Sequence, residues 1–195
     1  ERFVEPPHVF SLAGLVLVLA VTDALGREPR HARRIAPAAI AGVALWANLH
    51  AGVFVAPALF GLAAPGRRLE GRPDAWRLAG VAAGAALATL ATPVGAGLVT
   101  YLRLHTILPA LHAVDEFRAA TWISDAPFFV SLGVVAVALA TSRPRAWATL
   151  LPVAALAALA LRSARFGADF ALYAAPAVAG FASRARLAGR GPASG

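Results

Sequence analysis

IAPAAIAGVALWANLHAGVFVAPALFGLAA, residues Ile35 to Ala64, is an almost unbroken apolar run interrupted midway by Trp46-Ala47-Asn48-Leu49-His50. Its length is suited to lipid rather than to a water-soluble core. Two hydrogen-bonding side chains at its centre are costly in lipid unless they face a cavity, a neighbouring helix or a ligand. The run is flanked by Arg27, Arg30, Arg33 and Arg34 on one side and by Arg67, Arg68, Arg72 and Arg77 on the other. One straight span would place these clusters on opposite sides of a membrane, whereas a turn at Asn48-Leu49-His50 places both on the same side. The tendency of arginine to stay in the cytoplasm favours the turn. Arg143, Arg145, Arg184, Arg186 and Arg190 then fall inside as well, against Arg2, Arg103, Arg118, Arg162 and Arg165 outside. The halves, Ile35–Ala47 and Ala51–Ala64, are each expected to be about 20 Å long, short of the ~30 Å hydrocarbon core.

The rest of the chain repeats the pattern. Of its 195 residues 59% are hydrophobic and the mean hydropathy is +0.68, which points away from a soluble domain. Further apolar blocks run from Val9 to Leu25, Leu78 to Leu98, Ala126 to Ala140 and Ala146 to Phe181, the last divided at Arg162-Ser163-Ala164-Arg165. The expected fold is all-α: a polytopic transmembrane helical bundle with a short broken or re-entrant helix pair. Residues 1–183 would form the transmembrane domain, and 184–195 a basic, disordered cytoplasmic tail. The net charge of +8 comes from arginine at the ends of apolar segments, where it sets topology, so nucleic acid is not expected as a partner. Cysteine is absent, which removes disulfides, thiolate metal sites and cysteine nucleophiles. Methionine is absent even at position 1, and the chain is expected to be the later part of a larger membrane protein.

Candidate chemistry falls in three places. Asn48 and His50 can line a cavity at the turn, with His50 binding or passing a proton and Asn48 holding a polar substrate. They can equally serve only to satisfy backbone groups freed by the helix break. Arg162 and Arg165, with Asp169 on the same face if the helix continues, form an anion clamp suited to phosphate oxygens, or snorkel from a helix connection. The external segment 101–125 carries His105, His112, Asp115, Glu116, Arg118 and Trp122. Its spacing does not assemble a metal site, it reads most simply as a surface helix, and Glu116 is its best carboxylate for a substrate hydroxyl. A Ser/His/Asp set could be chosen, but spacing gives it no support.

Leu45-Trp46-Ala47-Asn48-Leu49-His50-Ala51-Gly52 resembles the W-A-N-x-H-G-G signature of bacterial polytopic membrane proteins related to the GT-C glycosyltransferases. Thr92-Pro93-Val94-Gly95, Glu116-Phe117 and Arg162 to Phe166 follow in the family's order, so the resemblance covers residues 5–183. Ala51, Thr92 and Phe117 stand where the family often has Gly, Asn and Trp. The resemblance implies a multi-pass protein of the bacterial inner membrane that uses a polyprenyl-phosphate-linked sugar donor at the extracytoplasmic face. Asn48, His50, Glu116, Arg162 and Arg165 would contact the substrate or the lipid phosphate. It also implies that the catalytic carboxylate lies in an earlier loop outside this chain. Membrane lipids and the lipid-linked sugar are the implied partners, with no metal and no further cofactor. Two rival readings are a transporter or lipid flippase built on a broken helix pair, and a non-catalytic membrane scaffold whose polar residues lock helices together.

Overall fold

The computed structural model describes residues 8–107, 117–141 and 146–189. Among them are eight α-helices and no strand: α1 His8–Arg27, α2 Ala32–Leu49, α3 Val55–Leu69, α4 Ala75–Ala88, α5 Gly97–Ile107, α6 Ala126–Thr141, α7 Trp147–Arg162 and α8 Gly167–Gly189. α1 is long and apolar enough to cross a membrane by length and composition; α4, α6 and α7 are apolar but shorter.

The opening run breaks at His50, whose backbone is extended and whose N–H still donates to Trp46 O. A 3₁₀ turn, Ala51–Phe54, then leads into α3. Long-range contacts show that the chain reverses here. Ser11 near the start of α1 meets His50 at the end of α2, so α1 and α2 are antiparallel. Arg67 near the end of α3 bonds Thr22 O near the end of α1, so α3 runs parallel to α1. Both arginine clusters of the flanks therefore lie at one end of the bundle, and His50 lies at the other.

The remaining helices complete two ends. α3 and α4 form a tight hairpin and share the most extensive contact in the fold, followed by α3 with α7. Asp125 at the start of α6, Arg162 at the end of α7 and Asp169 at the start of α8 all gather at the His50 end. Phe128 of α6 packs edge-on against Phe170 of α8 at 5.5 Å. The core is mainly apolar, with Tyr173, Phe60, Phe170, Leu15, Leu59 and Leu156 among its largest fully buried side chains, and Ser11, Arg67, Asp74, Thr89 and Asp169 are its buried polar members.

Three expectations need correction. α2 begins at Ala32 and α3 continues through Pro65 to Leu69, so the two halves are about 27 and 22 Å long rather than about 20 Å. Arginine is a good helix former, and Arg67 finds buried partners that hold the last turn of α3. The block from Leu78 does not reach Leu98: α4 stops at Ala88 and Leu98 belongs to α5. The exit is a turn in which Gly95, at φ +52°, donates its N–H to Thr92 O at 2.9 Å, beyond a proline that has no amide N–H to continue a helix. Finally, α8 extends to Gly189, so residues 184–189 of the expected disordered tail are helical, as alternating Ala, Arg and Leu allow.

Candidate functional site

One cavity of about 380 Å³ opens at the His50 end, within the size range of small-ligand pockets. Its apolar wall includes Leu15, Trp46, Phe54, Val55, Leu159 and Phe166, and its polar groups include His8, Ser11, His50, Arg162, Ser163, Arg165 and Asp169. Tyr101 and Leu102 of α5 and Phe117 close other parts of the wall.

Local sequence explains how each side chain arrives. Trp46 can pack flat against α1 because Gly14 faces it: a Cβ there would lie 2.2 Å from Trp46 Cε3. The break at His50 turns the imidazole back toward α1, where Ser11 Oγ and His50 Nδ1 are 2.6 Å apart. Gly52 N–H also donates to His50 Nδ1, at 3.2 Å. A Cβ at position 52 would come within 2.6 Å of Ser11 Oγ, so any larger residue there would have to displace the Ser11–His50 contact.

Arg162, Arg165 and Asp169 do meet at one site, but not on one continuous helical face. Ser163 is extended and Ala164–Phe166 form a 3₁₀ turn, so the helix is broken where continuity was expected. The freed backbone groups are taken up by the segment after Phe117: Ala164 N–H donates to Arg118 O at 2.9 Å, and Ala120 N–H donates to Leu161 O at 3.1 Å. The break fans the side chains around the cavity. Arg162 is exposed at its rim. Arg165 lies over the Phe117 ring at 4.8 Å and the Phe166 ring at 5.6 Å, two cation–π contacts. Asp169 is only 3% exposed, and its Oδ1 lies 3.1 Å from His8 Nε2.

Of the residues singled out from sequence, His50, Arg162 and Arg165 line the cavity. Asn48 does not. Its amide nitrogen donates to Ala44 O at 2.8 Å and Ala91 O at 2.7 Å, tying the end of α2 to the exit of α4, which is the backbone-satisfying role. Glu116 lies outside the described residues, as do His112 and Asp115. Asp169, expected beside the two arginines, lines it too, and His8 and Ser11 are polar additions. His8 and Ser11 stood at the edge of an apolar block, and their only sequence signal was a pair of polar residues at i and i+3. A serine–histidine–aspartate relay does not form among the described residues, since Ser11 bonds His50 whereas Asp169 pairs with His8. Nor do three His, Asp or Glu side chains among them cluster to hold a metal ion.

Beside the cavity the turn before α6 is rigidly held. Arg118 grips Asp125 with both guanidinium nitrogens, at 2.6 and 3.1 Å, and Thr121 N–H donates to Asp125 Oδ2 at 2.8 Å. The Arg118 guanidinium, then the Thr121 amide, hold the Asp125 carboxyl down to about 2. The turn presents Trp122, stacked on Phe129 at 3.9 Å, and Ile123, which is 98% exposed.

No family model, curated protein or solved structure matches the chain.

Proposed function

We propose that the chain is a multi-pass segment of a bacterial inner-membrane protein, part of a GT-C-like glycosyltransferase, and that its cavity holds the phosphate and adjoining prenyl chain of a lipid-linked sugar. The membrane part of this reading is supported by the outer surface. No Asp, Glu or Arg occurs in Val9–Thr22, Ile35–Leu49, Val55–Gly66, Leu78–Ala88, Pro127–Ala140, Ala148–Leu161 or Phe170–Ser183. Large apolar side chains point outward there: Val16 on α1, Leu87 on α4, and Val130, Val134 and Val137 on α6 are all exposed. Exposed apolar side chains on several helices are natural in lipid. The arginine-rich end is then cytoplasmic and the cavity end extracytoplasmic.

The observation that carries the ligand reading is the placement of Arg162 and Arg165 beside an aromatic and aliphatic wall in one cavity. Guanidinium groups match phosphate oxygens with directed, charge-assisted hydrogen bonds. The wall of Leu15, Trp46, Phe54 and Val55 offers an apolar run for an acyl or prenyl chain. The test is binding of a prenyl monophosphate to the full chain in lipid nanodiscs. Arg162→Ala and Arg165→Ala are each expected to weaken it by about tenfold. Unchanged affinity in the double variant would sink the phosphate clamp.

A further inference from the structure

The turn before α6, Thr121-Trp122-Ile123-Ser124-Asp125, sorts its side chains by polarity. The polar ones converge on one carboxylate. Thr121 N–H and Ser124 Oγ both donate to Asp125 Oδ2, at 2.8 and 3.1 Å, and Thr121 Oγ1 lies 2.6 Å from Ser124 Oγ. Arg118 grips the same carboxylate through both of its oxygens. The apolar pair is left outside, with Trp122 69% and Ile123 98% exposed. A turn held in this way has lost its conformational freedom before any contact forms, so it favours whatever apolar surface covers it.

Three observations point to lipid as that surface. The turn tops a helix whose outward side chains, Val130, Val134 and Val137, are apolar and exposed, and Trp122 stacks on Phe129 in its first turn. Val134 lies nine residues beyond Asp125, about 14 Å along the axis, close to half of the ~30 Å hydrocarbon core. With Val134 near the bilayer centre, the turn falls at the headgroup boundary. Lastly, the other exposed tryptophan among the described residues, Trp76, stands at the start of α4, at the arginine-rich end. An indole has an apolar body and one N–H donor, so it settles where acyl chains meet headgroups, and tryptophans at opposite ends of a bundle mark its two sides.

We propose that Trp122 and Ile123 form an anchor seated in the headgroup–acyl boundary of the outer leaflet, and that this anchor sets the depth of the cavity mouth. The link to the cavity runs through the backbone. Ala120 N–H donates to Leu161 O, and Ala164 N–H donates to Arg118 O, so the anchored segment is bonded to the α7–α8 break on both sides of Arg162. Phe117, in the same segment, lies against Arg165. A phosphate in the outer leaflet then meets the two arginines without leaving the bilayer. The inference rests on the membrane reading above and adds a contact surface outside the cavity, whose occupant is lipid rather than a protein.

The chain has no cysteine, so single nitroxide labels can be attached through Ile123→Cys, Val134→Cys or Arg72→Cys in the full chain in nanodiscs. Collisions with oxygen, which partitions into lipid, are compared with collisions with a nickel chelate, which stays in water. Position 134 is expected to read as deep, position 72 as aqueous, and position 123 between the two. A label attached through Ala119→Cys should shift toward water when Trp122→Ser is added, because the segment loses its hold on the bilayer. With position 134 deep, two results at position 123 overturn the anchor and leave the membrane reading standing: the access to the chelate seen at position 72, or screening from both reagents by protein. An unmoved label at position 119 overturns the control of cavity depth. Position 134 in water overturns the anchor and the membrane reading together. Because Ile123 is 98% exposed, its label decides the matter even where Trp122→Ser fails to fold.

Discussion

The two ends of the bundle use the same residue types for opposite purposes. At the arginine-rich end the charges are spent on the protein itself. Arg67 is 4% exposed, donates to Asp74 Oδ2 at 2.7 Å, and also bonds Thr22 O. Arg72 donates to Gly26 O at 2.8 Å, and Glu70 accepts the N–H of Ala148 at 2.7 Å, capping the start of α7. These bonds join α1, α3, α4 and α7. At the other end Arg162, Arg165, His50 and Asp169 surround an open volume. Charge alone is therefore no guide to function here; whether the partners of a charge fill the space around it is what separates a lock from a site.

The comparison can be broken most sharply by sidedness. The chain has no cysteine, so Arg72→Cys and Thr121→Cys each introduce one thiol, at opposite ends. In sealed, oriented vesicles an impermeant thiol reagent is expected to label position 121 from outside and position 72 only after permeabilisation. Labelling of both from one side would remove the membrane-spanning arrangement.

The next largest effect lies at the arginine-rich end. Removing one partner of a buried ion pair strands the other, which costs about 3–5 kcal/mol. Arg67→Ala should lower unfolding stability in detergent by that order. A loss below about 1 kcal/mol would mean that this end is not a lock. The same measurement on the Arg162→Ala variant should show a change of no more than about 1 kcal/mol, because Arg162 is exposed and exposed charges contribute little to stability. A large loss there would turn Arg162 into a structural residue.

The smallest effect concerns the turn before α6. The carboxyl of Asp125 is held below its ordinary value, at about 2. Its link to Arg118 therefore contributes stability in full above the ordinary carboxyl range, and that contribution is lost as the pH falls through about 2. A carboxyl titration of Asp125 by NMR should give a midpoint near 2. A midpoint in the ordinary carboxylate range would show that the Arg118 grip does not persist in solution, and Trp122 would lose its fixed mount.

Much of this architecture was legible in sequence. The apolar block from Ala126 becomes α6 with almost the expected bounds, and the division at Arg162–Arg165 is where α7 gives way to α8. The reversal near Asn48–His50 followed from the arginine pattern. Helix ends were less legible, because Pro65 does not stop α3 whereas Thr92-Pro93 lies beyond a helix that has already ended. For the site, His50 was found as a polar group in an apolar run, and Arg162, Arg165 and Asp169 as a cluster at spacings of three and four residues. Asn48 carried the same signal as His50, yet it serves two carbonyls instead of the cavity. A polar residue in an apolar run announces that it needs partners, without saying whether those partners are protein or ligand.

The sequence by itself determined the helical class, the uncharged stretches between charged ends, and the side of the bundle to which the arginines go. Those properties are local, since propensity, hydropathy and charge clusters act within a few turns. Only the tertiary structure decided that Ser11 would hold His50 across 39 positions, that Arg67 would bond Thr22 across 45, and that His8 would meet Asp169. The reason is that such contacts depend on how helices cross, which shape complementarity such as Trp46 against Gly14 fixes and which no spacing along one helix encodes.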